Sequence, residues 1–165
     1  MNRRAVVLTF AGVLGCAHLP PAPTAAQRTA AVEIATARAG TNAAIARRDA
    51  AGVVAAFLPT YAGTWAGGVA HYSRDSALTY MARAFADSAL LGYVRTPTSI
   101  EVNRSGQSAA EFGRWTGRFQ RADGVQVIAG SYYATWHPTS EGWRLNTETF
   151  VSLDCTGSTR CPRER

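Results

Sequence analysis

The stretch SYYATWHPTSEGWRLNTETF, residues 131–150, decides the fold. Three large aromatic residues, Tyr132, Tyr133 and Trp136, lie close together before the segment PTSEG, and Trp143 follows directly after it. Proline, serine and glycine at the centre favour a turn, whereas the flanking aromatic and β-branched residues favour strands. The stretch therefore predicts a hairpin whose two arms carry large aromatic side chains.

Two more strands are predicted before this hairpin. In AAEFGRWTGRFQ, residues 109–120, the alternation places Glu111, Trp115 and Phe119 on one face. The segment RADG that follows is typical of a hairpin turn, and the earlier segment TSIEVN also alternates. Glycines inside strands mark bends or bulges, so a sheet of four antiparallel strands is expected to curl. The glycines concerned are Gly113, Gly117 and Gly130.

Three helices are predicted in the first half of the chain. Residues 28–48 are rich in alanine, and Asp49 is placed to cap a short second helix that ends near Pro59. Residues 61–72 have strand-like spacing, and Ser73 is placed to cap a third helix with an apolar face. The apolar positions of that helix are Leu78, Met81, Ala82 and Phe85.

This order of elements resembles the NTF2-like superfamily, and within it the SnoaL-like, DUF4440-type branch. The segments that carry the resemblance are AAEFGRWTG, GSYYATWH and GWRLNTETF, and it extends over residues 28–153. The middle segment matches the pattern G-x-Y-x-x-x-W through Gly130, Tyr132 or Tyr133, and Trp136. The resemblance implies an α+β, cone-shaped NTF2-like fold, in which N-terminal helices pack on a curved antiparallel sheet that encloses a cavity.

The resemblance leaves the activity open, because the superfamily uses one scaffold for isomerases, cyclases, hydrolases, binding modules and association domains. We expect a domain that binds a small apolar or aromatic molecule in a mainly apolar, aromatic-lined pocket, without a cofactor. The alternative is an isomerase, cyclase or dehydratase that abstracts a proton with an inward Glu or His. A third hypothesis is a homodimeric interaction domain that associates through an outer sheet face carrying Phe112 and Phe150.

Glu111 and His71 are the candidate catalytic residues. Glu111 shares its strand face with aromatic residues, where a carboxylate is costly unless it is paired or borders a wet cavity. His71 precedes the third helix, where it could act as acid or base or lie on the surface. Glu148 is expected on a solvent-exposed face. The candidate ligand-binding residues, which could equally be core, are Trp65, Tyr72, Trp115, Tyr132 and Trp136.

The N-terminus is typical of a secretory signal. The charged start MNRR precedes an apolar run that is too short to span a bilayer, and VLGC, residues 13–16, resembles a lipobox with Cys16 as the lipidated residue. A plain signal peptide cut later, near PTAAQ, is the alternative. The protein is therefore expected to be exported to the periplasm or cell surface and anchored by lipid. The division expected is signal peptide 1–16, Pro/Ala-rich tether 17–27, domain 28–155 and tail 156–165.

Cys155 and Cys161 are separated by five residues and are expected to form a disulfide in an oxidising compartment. The histidines are scattered, so no metal site is predicted. The formal charge is +6, and every basic side chain is arginine. Because these arginines are dispersed among acids and do not form a basic stripe, no nucleic-acid partner is expected.

Overall fold

A computed structural model describes residues 21–65 and 68–161 of the chain. Its helices are α1 (Ala25–Ala46), α2 (Ala50–Val54) and α3 (Arg74–Ala86). Its strands are β1 (Phe57–Trp65), β2 (Val69–His71), β3 (Leu90–Val102), β4 (Ala109–Arg121), β5 (Gly124–Thr139) and β6 (Gly142–Thr156). The predicted signal peptide and Cys16 lie outside the described residues. Within them, no helix is both long and apolar enough to cross a membrane.

The strands form one sheet in the order β2-β1-β6-β5-β4-β3. β1 pairs with β6 in parallel, and the other neighbours are antiparallel. α1 packs against β3 and β6, and α3 packs against β1, so the helices cover one face of a curved, unclosed sheet. The predicted α+β architecture, with N-terminal helices on a curved antiparallel sheet, is confirmed.

The helices begin where their capping residues predict. Asp49 caps α2 by accepting a hydrogen bond from the backbone N–H of Gly52, and Ser73 forms a capping box with Ser76 at the start of α3. α1 begins earlier than the expected domain boundary, because Thr24 forms a capping box with Gln27. The Gln27 side chain also donates to the Val102 carbonyl at 2.7 Å, which attaches the start of α1 to β3.

The prediction that the second helix ends near Pro59 is wrong. α2 ends at Val54, and Pro59 lies inside β1. The pairing of β1 with β6 is irregular between Phe57 and Ala62. A proline, which has no N–H to donate, is tolerated at such an interruption of the ladder.

The prediction that Glu148 faces solvent is also wrong, and a bulge in β6 explains why. Thr135 pairs with Thr147 but Trp136 pairs with Leu145, so β6 carries one extra residue at this point. The extra residue shifts the alternation, and Glu148 faces the core with 1% of its surface exposed. Phe150 also lies on the inner face, against Trp115, and not on the outer face.

The C-terminal segment is held at two points. Cys155 and Cys161 form the predicted disulfide. Asp123, in the β4–β5 turn, accepts hydrogen bonds from the hydroxyl of Thr159, from the backbone N–H of Thr159 and from the hydroxyl of Ser158. These hydrogen bonds lower the pKa of Asp123 well below its ordinary value. The disulfide therefore ties the tail back to the end of β6, and the Asp123 carboxylate ties the same tail to the β4–β5 turn.

Candidate functional site

Four charged side chains are buried where α1 meets the sheet. Arg38 comes from α1, Arg95 from β3, Glu111 from β4 and Glu148 from β6, and none of them is more than 4% exposed. We call these four residues the buried charge quartet. Its two positive and two negative charges balance, which is the condition under which buried ions are tolerated.

Glu111 is surrounded by donors. It accepts hydrogen bonds from Arg38 Nε at 2.8 Å, from Arg38 Nη2 at 3.1 Å and from Trp136 Nε1 at 2.7 Å. The Tyr132 hydroxyl donates a further short hydrogen bond to the same carboxylate. Burial and this hydrogen bond raise the pKa of Tyr132, so the phenol stays protonated. Both oxygens of Glu111 are therefore already occupied by groups of the chain itself.

The guanidinium group of Arg38 lies over two aromatic rings inside the cone. Its guanidinium carbon lies 5.3 Å from the Tyr132 ring centroid and 5.2 Å from that of Trp136, which is cation–π range. Its Nη1 lies 2.8 Å from Glu148 Oε1, an ion-pair contact whose angle is not that of a hydrogen bond. Burial lowers the pKa of Arg38, but Glu148 and Glu111 outweigh it and leave that pKa raised. Arg38 therefore stays charged.

Arg95 is held more loosely than Arg38. Its Nη1 is 3.2 and 3.4 Å from the two Glu148 oxygens, and its Nε is 3.4 Å from Asn42 Oδ1. Charge-assisted N–H···O hydrogen bonds are normally about 2.7–2.9 Å long. Only the donation from Nη2 to the Thr41 hydroxyl, at 3.0 Å, approaches that range. Burial lowers the pKa of Arg95, and the charge of Glu148 acts against this shift.

A cavity of about 40 Å³ borders this loose ion pair. Its walls are aromatic and aliphatic, apart from Arg95 and Glu148 at one end. Among its lining residues, Tyr80 and Tyr93 are half-buried and Val94 is exposed, so the cavity lies close to solvent there. Because a water needs about 10–15 Å³ by this measure, the cavity holds about three waters or a small group of a ligand. The remaining lining residues are Ile45, Trp65, Met81, Trp115 and Phe150.

The predicted ligand-binding residues fall into three groups. Trp65 and Trp115 border the cavity. Tyr132 and Trp136 are buried around Glu111 and do not border it. Tyr72 is 82% exposed and lies outside it.

The two candidate catalytic residues do not share a site. Glu111 is enclosed by its donors, as described above. His71 is buried in an aromatic cluster, with ring centroids 4.3 Å from Trp65 and 4.9 Å from Tyr80. Its Nε2 has no hydrogen-bond partner among the described residues, and burial lowers its pKa. His71 therefore contacts two residues of the cavity wall but does not itself border the cavity.

The sequence did not single out Arg38 or Arg95 as site residues, and Glu148 was expected on a solvent-exposed face. A signal for Arg38 was present, because it lies four residues after Ile34 and three before Thr41, which places all three on one face of α1. A single arginine on an apolar helical face indicates a buried partner. No group of three or more His, Cys, Asp or Glu residues is arranged to hold a metal ion in the ranges 21–65 and 68–161.

No family model matches the sequence, and no curated protein matches it. A ketosteroid isomerase-like protein from Erwinia carotovora matches the structure with a TM-score of 0.64 and 15% identity, over 75% of this chain and 96% of that chain. The dehydrochlorinase LinA-type3 from Novosphingobium barchaimii matches with a TM-score of 0.65 and 11% identity, over 84% of this chain and 96% of that chain. An NTF2-like protein of unknown function from Shewanella oneidensis matches with a TM-score of 0.59 and 17% identity, over 72% of this chain and 96% of that chain. The chain therefore has the NTF2-like cone fold that its sequence predicted.

Proposed function

We propose that this chain is an exported domain that binds a small apolar or aromatic molecule in the cavity between its helices and the sheet. The observation that carries the proposal is the composition of the cavity wall, which is aromatic and aliphatic except for Arg95 and Glu148. An apolar wall with a few convergent polar groups is typical of a small-molecule site.

The geometry favours binding over proton abstraction. The similar structures include a ketosteroid isomerase-like protein and a dehydrochlorinase, and a catalytic base must reach the proton that it removes. Glu111 is enclosed by donors, and His71 lies behind Trp65 and Tyr80. Glu148 borders the cavity, but its oxygens face the two arginines of the quartet. An isomerase, cyclase or dehydratase is therefore the weaker candidate.

The size of the cavity limits how a ligand binds. At about 40 Å³ it accepts only part of a ring, so a whole ring extends between the side chains on the solvent side. Tyr80 and Tyr93 line the cavity there, are half-buried and are not part of the quartet. The proposed ligand therefore places one end against Arg95 and Glu148 and its apolar body against the aromatic wall.

Native mass spectrometry of the protein purified from its own host tests the proposal. We expect a small molecule that leaves on denaturation. Ile45 borders the cavity, so Ile45→Phe should fill it and abolish the adduct. Ile128→Phe makes the same change at a half-buried position outside the cavity lining and should retain the adduct. Retention of the adduct by Ile45→Phe would contradict the proposal.

Export and lipid anchoring are a separate part of the proposal. The disulfide between Cys155 and Cys161 supports export, since such bonds persist in oxidising compartments. The lipobox-like VLGC supports cleavage before Cys16 and lipidation of its side chain. With lipidation, Cys16→Ala moves the protein from the membrane fraction to the soluble fraction. An intact mass that corresponds to a mature chain beginning near PTAAQ would instead indicate a plain signal peptide.

Homodimerisation through the outer sheet face is a second candidate function. Phe112 on β4 and Tyr133 on β5 form an aromatic pair with ring centroids 5.0 Å apart, and each is 41% exposed. Val151 and Leu153 on β6 are also more than half exposed. If this face pairs with a second copy, light scattering gives twice the monomer mass, and Phe112→Arg restores the monomer mass. A monomeric wild-type protein would exclude this candidate.

A further inference from the structure

We infer that the ligand is an uncharged molecule with a hydroxyl group on an apolar ring, and that this hydroxyl binds between Arg95 and Glu148. The inference rests on the proposed binding function and adds the chemical class of the ligand. It depends on three features of the site: the loose ion pair at the cavity end, the charge balance of the quartet and the apolar wall.

The loose ion pair identifies where a polar group of the ligand binds. Glu148 Oε1 lies 2.8 Å from Arg38 Nη1, but the two Glu148 oxygens lie 3.4 and 3.2 Å from Arg95 Nη1. Both Arg95 and Glu148 border the cavity, whereas Arg38 does not. The longest contact of the quartet is therefore the one that borders the cavity. A polar group of a ligand placed there can make shorter hydrogen bonds to both Arg95 and Glu148.

The charge balance of the quartet identifies the ligand as uncharged. Arg38 and Arg95 are opposed by Glu111 and Glu148, and all four side chains are at least nine-tenths buried. A carboxylate or an ammonium group of a ligand would add an unpaired charge to this enclosed region, and desolvation of such a charge is strongly unfavourable.

The two partners identify the polar group as a hydroxyl. The Arg95 guanidinium can only donate, and the Glu148 carboxylate can only accept, so a group between them must accept from one and donate to the other. A hydroxyl does both with a single oxygen, which suits a cavity of about 40 Å³. The aromatic side chains Trp65, Trp115 and Phe150 then contact the part of the ring that enters the cavity.

The test measures the affinities of the mature protein for phenol, toluene, benzoate and benzylammonium near pH 7 by calorimetry. We expect phenol to bind about tenfold more tightly than toluene, as a hydrogen bond to charged partners predicts. Benzoate and benzylammonium should bind more weakly than toluene. Binding of either ion as tight as that of phenol, or equal binding of phenol and toluene, would overturn the inference while the binding function stands. If none of the four binds, the inference is overturned, and native mass spectrometry decides the binding function separately.

A pair of variants tests the role of charge balance. Glu148→Gln leaves two arginines against one glutamate, so benzoate should now bind more tightly than phenol. Glu101→Gln makes the same change at an exposed carboxylate outside the cavity and should leave the order of affinities unchanged. If phenol still binds Glu148→Gln more tightly than benzoate, the inference is wrong. If Glu148→Gln does not fold, the affinities of the wild-type protein for the four compounds decide the inference by themselves.

Discussion

Arg38 on α1 and Glu111 on β4 are 73 residues apart in the chain and are joined by two buried hydrogen bonds of 2.8 and 3.1 Å. This pair connects the helical layer to β4, the strand next to the edge strand β3. The same guanidinium contacts Glu148 on β6. Without Arg38, the two buried carboxylates Glu111 and Glu148 would have only Arg95 to balance their charge.

Arg38→Met should therefore lower the free energy of unfolding by about 3–5 kcal/mol, as expected when one partner of a buried ion pair is removed. Arg47→Met, at the C-cap of α1, is the control. Arg47 is 64% exposed and its nearest Asp49 oxygen is 3.8 Å away, so its loss should change stability by less than about 1 kcal/mol. Urea unfolding measures both. Similar values for the two variants would show that the quartet does not hold the layers together.

Gly130→Ala and Gly40→Ala should change stability in opposite directions. A Cβ at Gly130 would overlap the Val151 carbonyl oxygen and lie 2.7 Å from Trp115 Nε1, so the sheet must shift, at a cost of about 1–3 kcal/mol. A Cβ at Gly40, inside α1, meets nothing within 4 Å, so alanine should stabilise the helix by about 0.5–1 kcal/mol. Thermal unfolding measures both. A neutral Gly130→Ala variant would mean that the strands approach less closely than described.

His71 should make the fold sensitive to mild acid. Burial lowers its pKa in the folded protein, whereas the unfolded value is about 6.5. As the pH falls below about 6.5, the unfolded state binds the proton more readily and stability decreases. His71→Phe keeps the ring against Trp65 and Tyr80 and should remove this acid-sensitive step between about pH 7 and pH 5. His137→Phe is the matched control and should retain it. An unchanged acid profile in His71→Phe would contradict this role.

The disulfide should stabilise the end of β6. Cys155 and Cys161 are six positions apart, and closure of such a short loop is worth about 2 kcal/mol in the chain-entropy model. Serine at both positions should lower the urea midpoint without changing the slope of the transition. A thiol reductant should have the same effect on the wild type and none on the double variant. An unaltered midpoint would show that the Asp123 hydrogen bonds alone hold the tail.

The burial of Glu111 and Trp115 was predictable because β4 alternates without interruption, so that every second residue faces the core. Gly113 and Gly130, marked in the sequence as bends, are positions where close approach excludes a side chain. The cap residues Asp49 and Ser73 were predictable because their hydrogen bonds are local.

The site itself was less predictable, because it depends on contacts between distant segments. The extra residue in β6 reverses the inward and outward alternation of the strand, so that Glu148 faces the core. A single sequence does not show where such a bulge lies. Arg95 follows the exposed Val94 on β3, and its partners Thr41, Asn42 and Glu148 come from two other elements. The pairing of the quartet depends on how segments far apart in the chain pack together.

The indole N–H signals of the four tryptophans test the proposed cavity most directly. Trp65 and Trp115 border the cavity, whereas Trp136 and Trp143 are buried elsewhere and serve as internal controls. On titration with phenol, heteronuclear NMR should show saturable shifts for the Trp65 and Trp115 signals and little change for the other two. Four unmoved signals, or shifts confined to Trp136 and Trp143, would contradict a ligand site in this cavity.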